Sequence, residues 1–180
     1  MRSLVFTGFG PFGDVAFNPS WDCAQAAAEA APSGGAAELL AVTVDAASDA
    51  ARRWAADDTL LVHFGVAARR EHVSLERFAH NWWQDLGDAA ATRLLANGPT
   101  ALESRLPLGA WAQALDGAAD LPWRVSHDAG NYVCNATLYH SLLAAERYAR
   151  CDAVFVHVPA CDAELARAIG AAVGAFVGHG

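Results

Sequence analysis

The start of the sequence lacks an apolar stretch of the length that export or membrane insertion requires. Arg2 is followed by one short apolar run at residues 4–6, before Thr7 and Gly8. The apolar core of a signal peptide needs about 7–15 residues, and a transmembrane helix needs about 20. We therefore expect a cytoplasmic protein with no membrane partner.

Basic residues are also scarce. The sequence has 12 Lys and Arg residues against 20 Asp and Glu residues, which gives a net charge of −8. Proteins that bind nucleic acids neutralise phosphates with basic side chains, whereas a surface of net negative charge repels them. The composition therefore argues against nucleic acid as a partner.

Cysteines are few and scattered. They are Cys23, Cys134, Cys151 and Cys161. No two of them form a CxxC pair, and their spacing relative to the histidines matches no zinc pattern. Cysteines in a chain without an export signal are expected to stay reduced. We predict free thiols, no metal site and no cofactor.

Apolar residues, by contrast, make up 54% of the 180 positions. A chain of this length buries roughly 70% of the surface that it exposes when unfolded. We therefore expect residues 1–180 to form one domain, with no linker rich in Gly, Pro or Ser to divide it.

Strand and helix patterns alternate along the chain. Strands are predicted at residues 4–7, 39–44, 60–64, 73–78, 123–125 and 153–158. Helix starts are predicted at Asn18 with Pro19, at Asp45, at Pro99, at Pro107 and at Cys134, and a final amphipathic helix carries Leu165, Ile169, Val173 and Phe176. The β, α, β order predicts an α/β fold, a three-layer α/β/α structure around an open, twisted, largely parallel sheet. Residues 81–97, which include Trp82 and Trp83, are predicted to form a loop or flap.

Cys134 is a candidate nucleophile. It follows the segment Asp128-Ala129-Gly130 at the predicted start of a helix. The helix dipole and the unpaired N–H groups at such a position stabilise a thiolate, and the same N–H groups can donate to an oxyanion. The alternative for any single cysteine is a small core residue.

Two other polar residues interrupt apolar strand patterns. His157 lies within residues 154–158, a strand of the type that is buried on both faces, so its ring needs a partner. It is either a core histidine bonded to a backbone carbonyl or the base for a thiol. Glu76 is either a solvated carboxylate or the acceptor that orients His157, as in a catalytic triad.

Four groups of residues carry a resemblance to a known family. Residues 7–13 read TGFGPFG with NPS at 18–20, residues 74–81 read SLERFAHN, residues 126–135 read SHDAGNYVCN, and residues 155–159 read FVHVP. In this order they resemble the motifs of pyroglutamyl peptidase I, the family of pyrrolidone-carboxylate peptidases. One such motif would be weak evidence, but four spread over most of the chain make the resemblance specific.

The resemblance implies a cysteine peptidase with a phosphorylase/hydrolase-like fold. Such an enzyme removes an N-terminal pyroglutamyl residue from peptides, through a triad carried here by Cys134, His157 and Glu76 and through a thioester intermediate. Relatives commonly form homo-oligomers, so a dimer or tetramer is expected.

The resemblance also implies substrate contacts from Phe9, Phe12, Asn18 and the backbone near Val133. These contacts suit pyroglutamate, a flat, uncharged lactam. Two phenylalanines can cover the faces of its ring, and amide or backbone groups can pair with its N–H and C=O groups. The alternative is that Phe9 and Phe12 are ordinary core residues.

The sequence departs from the family pattern at the rim of the expected site. It is shorter between Asn81 and Pro99, where relatives carry a polar loop with an arginine, and residues 82–85 read WWQD instead. Val66 stands where many relatives have glutamine. The triad positions are unchanged. The departures therefore bear on the pocket rim, the substrate range and the subunit contacts.

Two other functions fit part of the pattern. Gly8, Gly10 and Gly13 satisfy the dinucleotide-binding string G-x-G-x-x-G after a strand. However, the predicted helix begins near Pro19, and Asp45 comes later than the ribose-binding acid, which lies about 20 residues on. A non-catalytic binding protein of the same fold is the second alternative, and the presence of all three triad residues argues against it.

Overall fold

The computed structural model describes residues 2–13, 16–85 and 90–178. The strands in these ranges are β1 (Ser3–Phe9), β2 (Ala36–Leu40), β3 (Thr59–Val66), β4 (Val73–Glu76), β5 (Phe78–His80), β6 (Ala101–Glu103), β7 (Trp123–Ser126) and β8 (Asp152–Val158). The α-helices are α1 (Pro19–Ala30), α2 (Val44–Trp54), α3 (Leu108–Leu115), α4 (Val133–Ala145) and α5 (Ala163–Val177), and a short 3₁₀ turn lies at Ala118–Asp120.

Six strands form one sheet in the order β2-β1-β3-β8-β4-β7. The strands β1, β2, β3 and β8 are parallel to one another, whereas β4 runs antiparallel to β8 and β7 runs parallel to β4. The strands β5 and β6 form a separate antiparallel pair. The predicted α/β fold with a largely parallel sheet is confirmed. Strict alternation of strands and helices is wrong, because β3, β4, β5 and β6 follow one another with no helix among the described residues between them.

Helices cover both faces of the sheet. The helices α1, α3 and α5 pack on one face, and α2 and α4 pack on the other. Successive side chains of a strand point to opposite faces. On β8, Val154 and Val156 belong to the core under α1 and α5, whereas Phe155 belongs to the core under α4. The same alternation directs His157 toward α4.

The contact between α1 and α5 depends on small residues. A Cβ at Gly170 or at Gly174 would lie 2.1 Å from the carbonyl oxygen of Cys23 or of Ala27, respectively. Because real Cβ atoms do not approach backbone this closely, only glycine lets the two helices pack at this distance. Asn18 caps α1 as predicted, accepting from the Ser20 N–H at 3.1 Å.

Two predicted boundaries near α2 are wrong. The second strand ends at Leu40 rather than at residue 44, and the N-cap of α2 is Thr43 rather than Asp45. The Thr43 hydroxyl accepts from the Ala46 N–H at 3.2 Å, which leaves Asp45 in the first turn. Thr and Asp both cap helices, so local sequence does not choose between them.

Two further predictions fail around the smaller sheet. The strand predicted at residues 73–78 is divided at Arg77 into β4 and β5. No helix starts at Pro99, since this segment leads into β6, which pairs with β5. The Pro99 carbonyl instead accepts from the Tyr139 hydroxyl of α4 at 2.8 Å. These pairings depend on partners distant in the sequence.

The predicted loop at residues 81–97 is described in part, since residues 86–89 lie outside the described ranges. Backbone bonds between Trp83 and Thr92, of 2.9 and 2.8 Å, form an isolated bridge. The Trp82 side chain is 44% exposed and stacks on the His80 ring.

Candidate active site

The site forms where three strands and one helix meet. The carboxyl ends of β1, β3 and β8 lie at the same edge of the sheet, because these strands are parallel. Cys134, the second residue of α4, lies at this edge beside His157 near the end of β8. Ligands of open α/β sheets commonly bind at such an edge.

The three candidate catalytic side chains lie next to one another, with His157 in the middle. His157 Nδ1 lies 2.8 Å from Glu76 Oε1. The Cys134 side chain lies on the other side of the His157 ring, close enough to raise the pKa of His157. Glu76 is completely buried and His157 is 5% exposed, whereas Cys134 is half-buried. Because the carboxylate occupies Nδ1, Nε2 is the ring nitrogen that remains for the sulfur.

The charge of His157 follows from these two partners. Burial by itself lowers its pKa, but the negative charge and hydrogen bond of Cys134, followed by those of Glu76, outweigh burial and raise this pKa from 6.5 to about 9. The ring is therefore protonated at neutral pH while it faces the cysteine and the carboxylate.

The first turn of α4 leaves backbone donors available. Tyr132, the N-cap residue, makes no side-chain capping bond. The Ala136 N–H bonds to the Tyr132 carbonyl at 3.2 Å, so the N–H groups of Val133, Cys134 and Asn135 precede the first intrahelical bond. These N–H groups and the helix dipole favour negative charge next to the cysteine.

A cavity of about 290 Å³ opens beside the cysteine. Its described lining includes the four residues predicted to contact substrate together with two of the predicted triad: Phe9, Phe12, Asn18, Val133, Cys134 and His157. The structure thus brings the seven predicted site residues together in one place, since Glu76 is bonded to His157 behind the cavity wall. Val66 and Arg69 also line the cavity.

Asn18 has several structural bonds in addition to its place in the cavity wall. Its Oδ1 accepts from the Ser20 N–H and from the Ser20 hydroxyl, at 3.1 and 2.7 Å. Its Nδ2 donates to the Gly10 carbonyl at 3.1 Å, which holds the loop after β1. An amide has two N–H donors, so one remains for a ligand. The helix begins at Pro19, outside the glycine turn, which does not match the context of a dinucleotide site.

Sequence reasoning missed several residues that shape this site. A Cβ at Gly65 would lie 3.0 Å from Cys134 Sγ and 2.6 Å from the Phe155 ring, so glycine makes room for both. Arg70 donates to Glu76 Oε1 at 2.6 Å. The buried Asn135 side chain bonds to the backbone of His80, which ties the start of α4 to β5. Two sequence signals could have pointed to these residues: Gly65 is a glycine in an apolar strand, and Asn135 directly follows the candidate nucleophile.

Within the described residues, no three or more His, Cys, Asp and Glu side chains cluster closely enough to hold a metal ion. All four cysteines are free. No described helix is both long and apolar enough to span a bilayer.

Relatives of known identity match most of the chain. Pyrrolidone-carboxylate peptidase of Streptomyces coelicolor is 34% identical in an alignment that covers 88% of this chain and 78% of the relative. The enzyme of the same name from Yersinia pestis is 31% identical over 88% of this chain and 79% of its own length.

Solved structures of such enzymes share the fold. Pyroglutamyl peptidase I of Bacillus amyloliquefaciens superposes with a TM-score of 0.81 at 23% identity, covering 98% of this chain and 96% of the other. Pyrrolidone carboxyl peptidase of Thermus thermophilus has a TM-score of 0.68 at 27% identity, covering 95% and 98%. The profile of the family described as Pyroglutamyl peptidase (Peptidase_C15) matches residues 1–176. The resemblance drawn from the motifs is confirmed: this chain belongs to the pyroglutamyl peptidase family.

Proposed function

We propose that this chain hydrolyses the amide bond after an N-terminal pyroglutamyl residue with Cys134 as nucleophile, His157 as acid and base, and Glu76 as the group that orients His157. Family membership supports a hydrolase of this specificity. The observation that carries the residue roles is that Cys134 and His157 lie side by side in the wall of a small cavity while Glu76 is hydrogen bonded to His157.

The first half of the reaction forms a thioester. The Cys134 thiolate attacks the pyroglutamyl carbonyl carbon, a C–S bond forms, and the carbonyl oxygen becomes an oxyanion. The N–H group of Cys134 donates to this oxyanion, supported by the helix dipole. His157 then gives its Nε2 proton to the leaving nitrogen, the C–N bond breaks, and the shortened peptide departs with a free amine.

The second half regenerates the enzyme. Neutral His157 takes a proton from a water molecule as the water oxygen attacks the thioester carbon. The new intermediate collapses, the C–S bond breaks, and pyroglutamic acid leaves. The thiolate and the imidazolium are restored, while Glu76 accepts from Nδ1–H throughout and so keeps Nε2 directed at the sulfur.

The cavity supports the substrate assignment. Its volume of about 290 Å³ lies just below the usual range for ligand sites, about 300–1,000 Å³, which suits one residue rather than a longer segment. Phe9 and Phe12 cover the lactam ring, and the free N–H of Asn18 with the backbone at Val133 pairs with its polar atoms. A substrate without these atoms would leave buried polar groups unpaired, so it is rejected.

A fluorogenic pyroglutamyl amide tests the proposal against prolyl and alanyl amides as matched substrates. We expect hydrolysis of the pyroglutamyl compound only, and a fall of at least about 10³-fold for Cys134→Ser. Mass spectrometry of the acid-quenched wild type should detect one pyroglutamyl group on the peptide that contains Cys134. Hydrolysis that persists in Cys134→Ser would contradict the mechanism.

We further place the enzyme in a reducing compartment, the cytoplasm, because a thiolate nucleophile loses activity when it is oxidised. Fractionation of cells that express the chain would test this location. A homo-oligomer stays a prediction, and sedimentation of the purified chain would test it.

A further inference from the structure

Arg70 contacts the carboxylate of the proposed triad at the same oxygen that His157 uses. Its Nη1 donates to Glu76 Oε1 at 2.6 Å, and His157 Nδ1 lies 2.8 Å from that oxygen. Glu76 is completely buried, and a buried carboxylate is unfavourable unless a cation or hydrogen bonds compensate it. His157 changes its charge during the reaction, whereas an arginine keeps its charge at all working pH values.

The same guanidinium also holds the loop that leads to the nucleophile. Arg70 Nη2 donates to the Asp128 carbonyl at 3.1 Å. This loop is braced internally, because the Gly130 N–H donates to the Asp128 carboxylate at 2.8 Å. It continues directly into α4 and Cys134. The Arg70 guanidinium therefore connects the Glu76 carboxylate on β4 to the loop that precedes α4 and Cys134.

We propose that Arg70 is a positioning residue of the triad, which holds the Glu76 carboxylate directed at His157 and fixes the loop before Cys134 relative to both. The inference rests on the proposed function, because it assigns a task only if Cys134, His157 and Glu76 act together. A lysine supplies one compact ammonium group, so it can replace the charge of Arg70 but not its two separated bonds.

The charges around His157 give this role a measurable signature. Cys134 faces the ring from α4 and Glu76 faces it from β4, with Arg70 behind Glu76. Arg70 and Glu76 also act on His72 of the same connection, together with Glu71 and, on β7, Arg124. Arg70 disfavours an added positive charge on His157, so its removal makes His157 harder to deprotonate. The loss of Glu76 has the opposite effect.

The test compares pH profiles of kcat/KM for the wild type, Arg70→Gln, Arg70→Lys and Glu76→Gln. Arg124→Gln is the matched control, because it removes the same charge from an exposed position on the edge strand. We expect Arg70→Gln to lower kcat/KM at pH 7 by about 10–100-fold. The alkaline limb of the profile, where kcat/KM falls at high pH, should move to higher pH by roughly half a pH unit or more.

The other variants have distinct expected outcomes. Glu76→Gln should move the alkaline limb to lower pH, and Arg124→Gln should leave rate and limb unchanged. Arg70→Lys should keep the limb near its wild-type position while kcat stays several-fold low, because the bond to Asp128 is lost. Circular dichroism shows whether Arg70→Gln is folded. If it is not, the test rests on Arg70→Lys, and a wild-type kcat in that variant would overturn the proposal.

Two other results would also overturn it. One is a wild-type profile for folded Arg70→Gln. The other is an equal loss of rate in Arg70→Gln and Arg70→Lys with no movement of the limb, which indicates a structural role only. Cys134→Ser is measured in parallel to separate the two proposals. If Cys134→Ser is inactive, these results count against the role of Arg70 but not against the proposed function. If Cys134→Ser is active, the proposed triad itself is contradicted.

Discussion

Glu76 and His157 are diagonal neighbours on two antiparallel strands. Glu76 pairs with Phe155 and His157 pairs with Ser74, so the carboxylate reaches the ring across the diagonal at 2.8 Å. Such diagonal neighbours lie about 7–8 Å apart at their Cα atoms, within reach of long side chains. Both residues lie on strands rather than on loops, and this gives the pair a rigid geometry.

The raised pKa of His157 predicts how activity depends on pH. The leaving amine needs a protonated His157, so kcat/KM should fall as the pH rises through about 9. Glu76→Gln removes one of the negative charges that raise this pKa, so the fall should begin at lower pH. The measurement is kcat/KM from pH 5 to 10. Glu103→Gln, at an exposed position, is the control, and equal shifts in both variants would contradict the role of Glu76.

Gly65→Ala should impair catalysis more than stability. The added methyl group would lie 3.0 Å from Cys134 Sγ and 2.6 Å from the Phe155 ring, so one of them must move. A displacement of about 1 Å at a reacting atom lowers the rate by about 10²-fold, and we expect a loss of this size in kcat.

Gly109→Ala is the matched control for this substitution. A Cβ at Gly109 meets nothing within 4 Å, and the position is in α3. It should keep wild-type activity and raise the free energy of unfolding by about 0.5–1 kcal/mol, because alanine favours helix. Wild-type kcat in Gly65→Ala would show that the space beside the sulfur is not needed.

The buried His63 should be sensitive to the loss of a hydrogen-bond partner. Its Nδ1 lies 2.7 Å from the Thr7 hydroxyl and its Nε2 lies 2.9 Å from the Ser141 hydroxyl, and burial lowers its pKa to about 3. Thr7→Val leaves one ring nitrogen unpaired, so the free energy of unfolding in urea should fall by about 1–3 kcal/mol. Thr100→Val, at an exposed position, should change it little; equal effects would contradict the role of this network.

The four cysteines should differ in their rate of alkylation. Cys23 and Cys151 are buried, and burial raises the pKa of both thiols. Cys161 is half-buried like Cys134, but burial and then Asp162 raise its pKa. Iodoacetamide at pH 7, followed by peptide mass mapping, should label Cys134 at least about tenfold faster than Cys161. Equal rates for these two thiols would be evidence against an activated nucleophile.

Local patterns predicted the parts of the site that depend on neighbours in the chain. Asn18 and Pro19 start α1 as expected, since capping is a local interaction. His157 stands out because a polar ring in a fully apolar strand needs a partner, and Cys134 stands out because a glycine turn leads into a helix. These are properties of a few consecutive residues.

Non-local pairing accounts for what the patterns missed. No local rule predicts that β4 enters the sheet antiparallel to β8, yet this pairing puts Glu76 beside His157. The division of one apolar run at Arg77, the strand after Pro99 and the bonds of Arg70 likewise depend on partners far along the chain.

The sequence by itself determined the fold class, the family and which side chains carry reactive groups, because periodicity, capping and motifs are written in consecutive residues. Only the tertiary structure decided which charged group compensates the buried Glu76, why Gly65 has no side chain, and which donors of Asn18 remain free. Those properties are set by distances between segments that meet only when the sheet assembles, and sequence order does not encode such distances directly.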